Sequence, residues 1–150
     1  MLDIREVLLE ENVNLDLKAG TKEEVFTQMT RMLYENGVIR EEQPFIDELV
    51  HREAEGVTGI GEGIAIPHGR SAVVNRSVIA IGRTRTDVSW ETFDDKPVRC
   101  IIMFAIRDVD MSQHIMLLSH VAQLLLDKDV IDTLHHARTV EEIVNILRKE

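Results

Sequence analysis

Between Val98 and Ile106 the chain reads Val-Arg-Cys-Ile-Ile-Met-Phe-Ala-Ile, with Arg99 the only charged side chain. A strand with one wet face would alternate apolar and polar residues, and this run does not. It is far shorter than the roughly 18 apolar residues of a membrane span. A turn-forming cluster, Asp94-Asp95-Lys96-Pro97, precedes it, and Arg107-Asp108-Val109-Asp110 follows it. The run therefore predicts a strand covered on both faces. A strand of that kind needs a layer of helices on each side of its sheet.

The remaining elements supply those layers. A helix is expected from Lys22 to Asn36. Thr21 and Glu24 form a T-x-x-E capping box at its start, Val25, Met29, Met32 and Leu33 give its apolar stripe, and Gly37 closes it. A second helix is expected to start near Pro44, to carry Phe45, Ile46, Leu49 and Val50, and to end near Glu55. Val78 to Gly82 reads as another strand. Helices are expected from Ser112 to Leu126, from Val130 to His136, and from Thr139 onward, the last with a second T-x-x-E box to Glu142. This pattern predicts an α/β fold, a mixed β-sheet flanked by helices on both faces as a three-layer sandwich, in one domain over residues 1–150. Strand order is not readable from it.

Charge and cysteine content narrow the function. The formal net charge of −10 argues against a nucleic-acid partner and against an anionic membrane surface, both of which need clustered Lys and Arg. It leaves room for docking on a protein with a basic patch. The single cysteine, Cys100, lies inside the apolar run and reads as a small buried hydrophobe. One thiol permits no internal disulfide, which fits a cytoplasmic setting. The start of the chain lacks the apolar core of a signal peptide.

Three residues could carry chemistry. His68 ends the segment Ile64-Ala-Ile-Pro-His and precedes Gly69. Pro67 stiffens the chain before it, and Gly69 is expected to let the chain turn and leave the ring uncrowded. On a helix, His114 shares a face with Leu118, Val121 and Leu125, near the first-turn amides where anions are favoured. Arg52 can hold a phosphoryl group through two parallel hydrogen bonds. Each has an ordinary alternative: a structural loop histidine, a satisfied core histidine, a solvated arginine. The glycine stretch Gly59-Ile-Gly-Glu-Gly63 lacks P-loop spacing and leads into a strand, so neither nucleotide-binding pattern fits. The six histidines show no H-x-x-x-H or H-E-x-x-H pair, so no metal site is expected.

Taken in order, the segment from Arg52-Glu53 through Thr58, the spaced glycines, Glu62 and Ala65-Ile-Pro-His68 resembles the signature of type-2 (fructose/mannitol-family) enzyme IIA domains of the bacterial phosphoenolpyruvate-dependent sugar phosphotransferase system. Val88-Ser-Trp90, Asp95-Lys-Pro-Val98, His114-Ile-Met-Leu-Leu118 and Ala137 to Ile143 are similar to the family as well, so the resemblance covers the chain. Ile115 stands where the family usually has leucine. The loop Arg107 to Asp110 varies among members and is expected to contact partners.

The resemblance implies a phosphohistidine carrier. His68 would be phosphorylated at Nε2, with His114 beside it and with Arg52 and Glu62 shaping the site. The donor would be phospho-HPr. The acceptor would be a cysteine of an enzyme IIB domain, which phosphorylates fructose, mannitol or a related polyol entering through the membrane permease IIC. No cofactor or metal is implied, and a monomer or weak dimer is expected. A neutral imidazole is nucleophilic near neutral pH, and its second nitrogen is expected to donate to a carbonyl or carboxylate. Two rivals share parts of this pattern: a regulatory IIA protein of the nitrogen-related branch, which keeps the histidine, and a binding module that keeps only the fold.

Overall fold

The computed structural model describes residues 3–148. In chain order the elements are α1 (Ile4–Val7), β1 (Leu8–Leu17), α2 (Lys22–Glu35), α3 (Glu42–Glu55), β2 (Gly59–Gly61), β3 (Ile64–Ala65), β4 (His68–Ser71), β5 (Val78–Val88), β6 (Val98–Arg107), α4 (Met111–Leu124), α5 (Lys128–His136) and α6 (Val140–Arg148). A short 3₁₀ turn, Asp108–Asp110, joins β6 to α4.

Among the described residues the sheet has six strands. Five follow the order β1-β5-β6-β3-β2, and β4 also pairs with β6. The pairing is mixed. β5 and β6 are antiparallel, β1 runs parallel to β5, and both β3 and β4 run parallel to β6. β6 is thus the central strand, as its apolar run requires. Its side chains alternate between two cores. Ile101, Met103 and Ala105 join Val25, Phe26, Met29, Leu33, Phe45 and Leu49 beneath α2 and α3. Cys100, Ile102, Phe104 and Ile106 join Leu117, Val121, Leu134, Ile143 and Leu147 beneath α4, α5 and α6. The three-layer arrangement is the expected one.

The capping boxes form as read. Thr21 Oγ1 accepts from the Glu24 amide at 3.1 Å, and Thr139 Oγ1 accepts from the Glu142 amide at 3.3 Å. Gly37 closes α2 with a left-handed φ of 74°. The second helix begins at Glu42, two residues before Pro44.

The strands extend beyond the sequence reading, most of all β1 and β5. β1 lies outside the sequence reading, although its second half, Val13-Asn-Leu-Asp-Leu17, alternates apolar with polar residues. Its first half, Leu8-Leu-Glu-Glu11, does not, and register shifts in the pairing with β5 reset which residues face the core, so that Val13 and Leu17 enter different cores. β5 continues past Gly82 to Val88. That polar half remains a strand because β6 and β1 pair with it, and because its exposed charges are tied: Arg85 to Asp16, and Asp87 to Arg99 at 2.7 Å.

Candidate active site

His68, just after Pro67, opens β4 rather than closing a strand. The Pro67 carbonyl accepts from the Phe104 amide at 2.9 Å, and His68 then pairs in register with Phe104, Gly69 with Ala105 and Arg70 with Ile106. Side chains alternate along a strand. His68 and Arg70 therefore face the α4 side with Phe104 and Ile106, while Gly69 faces α3. A Cβ on Gly69 would lie 2.5 Å from Cε1 of the fully buried Phe45. Gly69 was expected to provide a turn. It instead sits inside a strand, and its missing side chain lets α3 pack directly on β4.

That packing brings the functional candidates together. His68, Arg70, Arg52 and His114 line one cleft of about 380 Å³, with Glu48, His51 and Glu55 of α3 on its wall. The His68 ring stacks on Phe104 at 5.2 Å between centroids and meets His114 edge-on at 5.0 Å. Nε2 of both histidines is buried without a hydrogen-bond partner. Burial, reinforced by His114 and then Arg52, pushes the His68 pKa down to about 3. Burial, then Arg70 and Arg52, lowers that of His114. Both rings are neutral near pH 7, so each keeps a lone pair on one nitrogen and a proton on the other. Among the described residues, no carbonyl or carboxylate takes the hydrogen bond expected from the second His68 nitrogen. Stacking between Phe104 and His114 orients the ring instead.

A buried polar chain holds the end of α3 that carries Arg52. Trp90 Nε1 donates to Thr58 Oγ1 at 3.1 Å, and Thr58 Oγ1 donates to Glu53. The other Glu53 oxygen accepts from Lys22 Nζ at 3.1 Å, and that ammonium also reaches Glu91 and stands 5.2 Å from the Trp90 ring centroid. Glu53 thus ties the last turn of α3 to the start of α2 and to the segment entering β2. Arg52 Nη1 donates to the Gly56 carbonyl at 3.3 Å and forms no ion pair among the described residues.

A second anchor holds His114. Asp110 is buried just before α4. Its carboxylate accepts from Ser77 Oγ at 2.8 Å and from Arg107 Nε and Nη2 at 2.8 and 3.0 Å. These bonds pin the junction of β6 with α4 and keep the Asp110 carboxyl below its usual range, chiefly through Arg107. Of the loop expected to meet partners only Asp110 is therefore turned inward, leaving Arg107, Asp108 and Val109 exposed.

Glu62 does not line the cleft. It sits in the β2–β3 hairpin turn at φ 59°, between Gly61 at 97° and Gly63 at 73°. Its amide donates to Asp94 Oδ2 at 3.1 Å, and its carbonyl lies 2.6 Å from His135 Nε2. The glycine spacing is explained by this left-handed turn. Arg70, absent from the sequence candidates, does line the cleft. Its signal was the two-residue period from His68, legible only once that segment is known to be a strand.

A family model described as "Phosphoenolpyruvate-dependent sugar phosphotransferase system, EIIA 2" matches residues 6–150. The chain belongs to this EIIA family. It is 30% identical over 148 residues to the fructose-specific EIIABC component of Bacillus subtilis, and the match takes in 99% of this chain and 23% of that protein. The chain thus spans less than a quarter of that relative's length. Two EIIA-family structures are similar throughout. Nitrogen regulatory protein IIA-Ntr from Neisseria meningitidis has a TM-score of 0.87 at 32% identity, covering 96% of this chain and 98% of that one. The mannitol enzyme IIA of Escherichia coli, solved in complex with phosphorylated mannitol enzyme IIB, has a TM-score of 0.76 at 28% identity, covering 91% of this chain and 94% of that one. Among the described residues, no helix is long and apolar enough to cross a membrane.

Proposed function

We propose that this EIIA protein carries a phosphoryl group on Nε2 of His68, taken from phospho-HPr and passed to a cysteine of an enzyme IIB domain during sugar or polyol uptake. The observation that carries the reading is the pair of buried, partnerless Nε2 atoms of His68 and His114 in a cleft that also holds Arg52. Buried polar atoms are normally satisfied, and a group arriving during function accounts for two that are not. In the transfer step the Nε2 lone pair attacks phosphorus in line, and the P–N bond to the donor imidazole breaks, leaving that imidazole with the bonding electron pair. Positioning and charge neutralisation supply most of the rate for such a step. Arg52 neutralises phosphoryl oxygens from the end of α3, and His114 donates from the first turn of α4.

Nε2 of His68 is enclosed in the resting geometry, so in-line attack requires the ring to turn off Phe104 into the cleft. The ring has no hydrogen bond to break, which keeps that rotation cheap. The IIB partner is supported by the Escherichia coli mannitol complex and by the fused EIIABC relative. The test is intact mass after incubation with enzyme I, HPr and phosphoenolpyruvate. One acid-labile phosphoryl group on the wild type and none on His68→Ala is expected; labelling of His68→Ala would overturn the assignment.

The likeness to the Neisseria nitrogen regulatory protein favours a second reading, in which the phosphorylated protein acts by binding other proteins. Both readings use His68. They part at the acceptor step, where the regulatory reading predicts no transfer from the labelled protein to IIB.

A further inference from the structure

β4 places Arg70 two residues from His68 on the same face, roughly 6.6 Å along the strand. Arg70 lines the cleft with His68, Arg52 and His114. Among the described residues its guanidinium has no hydrogen-bond or ion-pair partner, in a chain with 27 carboxylate side chains. Elsewhere Arg40, Arg83, Arg85, Arg99, Arg107 and Arg148 each hold a carboxylate, an amide oxygen or a backbone carbonyl. The two carboxylates on the cleft wall do not neutralise Arg70. Glu48 and Glu55 both stand on α3, and Glu55 lies 3.8 Å from His51 instead. Arg52 and Arg70 therefore approach His68 from a helix end and from a strand, each with donors to spare.

The geometry points to Arg70 as a second phosphoryl-binding residue, which with Arg52 clamps the group on His68, one from the end of α3 and the other from β4. The inference rests on the carrier reading. A phosphoryl group in transfer spreads its charge over three peripheral oxygens. One guanidinium forks onto one or two of them, leaving an oxygen for a donor from another direction. Arg70 stands where that donor is needed, and His114 completes the set. Arg70 also helps hold His114 neutral, so that its Nε2 remains a single donor or acceptor. Transfer to the acceptor reverses the same contacts, so Arg70 acts on both half-reactions.

The test is single-turnover transfer from phospho-HPr to wild type, R70Q and R70K, with the donor varied to saturation and melting measured alongside. A lost charge-assisted hydrogen bond corresponds to a drop of about 10- to 100-fold in the saturated rate of R70Q. The half-saturating donor concentration should hardly move. R70K should recover part of the rate, because it restores the charge without the fork. A saturated rate for R70Q within about twofold of wild type would overturn the inference, and so would a loss confined to half-saturation, which would make Arg70 a docking residue. In both cases the wild type is labelled and the carrier reading stands. An unlabelled wild type would overturn both.

Discussion

The burial of a neutral His68 ring has a measurable consequence for stability. In the unfolded chain its pKa is near the ordinary 6.5; in the folded protein it is about 3. The folded state thus refuses a proton that the unfolded state accepts. Stability from this group is fully present above pH 6.5 and is lost as pH falls toward 3. At about pH 5 the unfolded ring is about one and a half units below its pKa, and at about 1.36 kcal/mol per unit the loss is about 2 kcal/mol. Any folded-state pKa below about 4 gives nearly the same loss at about pH 5, so the figure depends on burial and not on its exact depth. For a chain of this size about 2 kcal/mol corresponds to a fall in Tm of about 4–8 °C. Carboxylates and His114 titrate too, so the quantity to measure is a difference. The fall in Tm between about pH 8 and pH 5 should be larger in wild type than in His68→Gln by about that amount. The His68 ring resonances should not titrate over the same range. Equal falls in the two proteins, or a ring titrating near 6.5, would refute the enclosed neutral geometry.

Other outcomes follow from single contacts. Gly69→Ala drives a Cβ into the Phe45 ring at 2.5 Å and should cost about 1–3 kcal/mol in urea unfolding; trimming the ring in Gly69→Ala/Phe45→Leu should recover part of it. Glu53→Gln weakens the tie between Lys22, Thr58 and the last turn of α3. It should lower stability by about 1–3 kcal/mol and slow phosphoryl acceptance, and unchanged transfer kinetics would show that Arg52 is placed without it. His114→Ala should still accept the label, but more slowly; complete loss would mean the ring is required to fold the site. Cys100 is fully buried and its thiol is pushed up to about 12 by burial, so a thiol reagent should modify it only at the rate of unfolding.

Much of the architecture was already legible along the chain. An apolar stretch from Val98 to Ile106 reads as a strand enclosed on both faces, and capping boxes at Thr21 and Thr139 mark where helices begin, because these are local rules acting over a few residues. Ala65-Ile-Pro-His68 and the residues that accompany it pointed to the family and to His68 for the same reason: motif spacing is a property of neighbouring positions. What stayed hidden depends on pairing at a distance. β1 pairs with β5 through two register shifts, which place Val13 and Leu17 in different cores despite their alternating spacing. The family resemblance implied that Glu62 shapes the site, yet the left-handed hairpin sets its amide against Asp94 and its carbonyl against His135. Arg70 was not among the sequence candidates, and its register beside Ile106 on the His68 face brings it to the cleft. The sequence by itself determined the layers and the family and singled out His68 as the proposed nucleophile, since hydrophobic period and motif act locally. The tertiary structure decided which charges surround that nucleophile, because a cleft built from α3, β4 and α4 is assembled from segments whose separation in sequence says nothing about their distance in space.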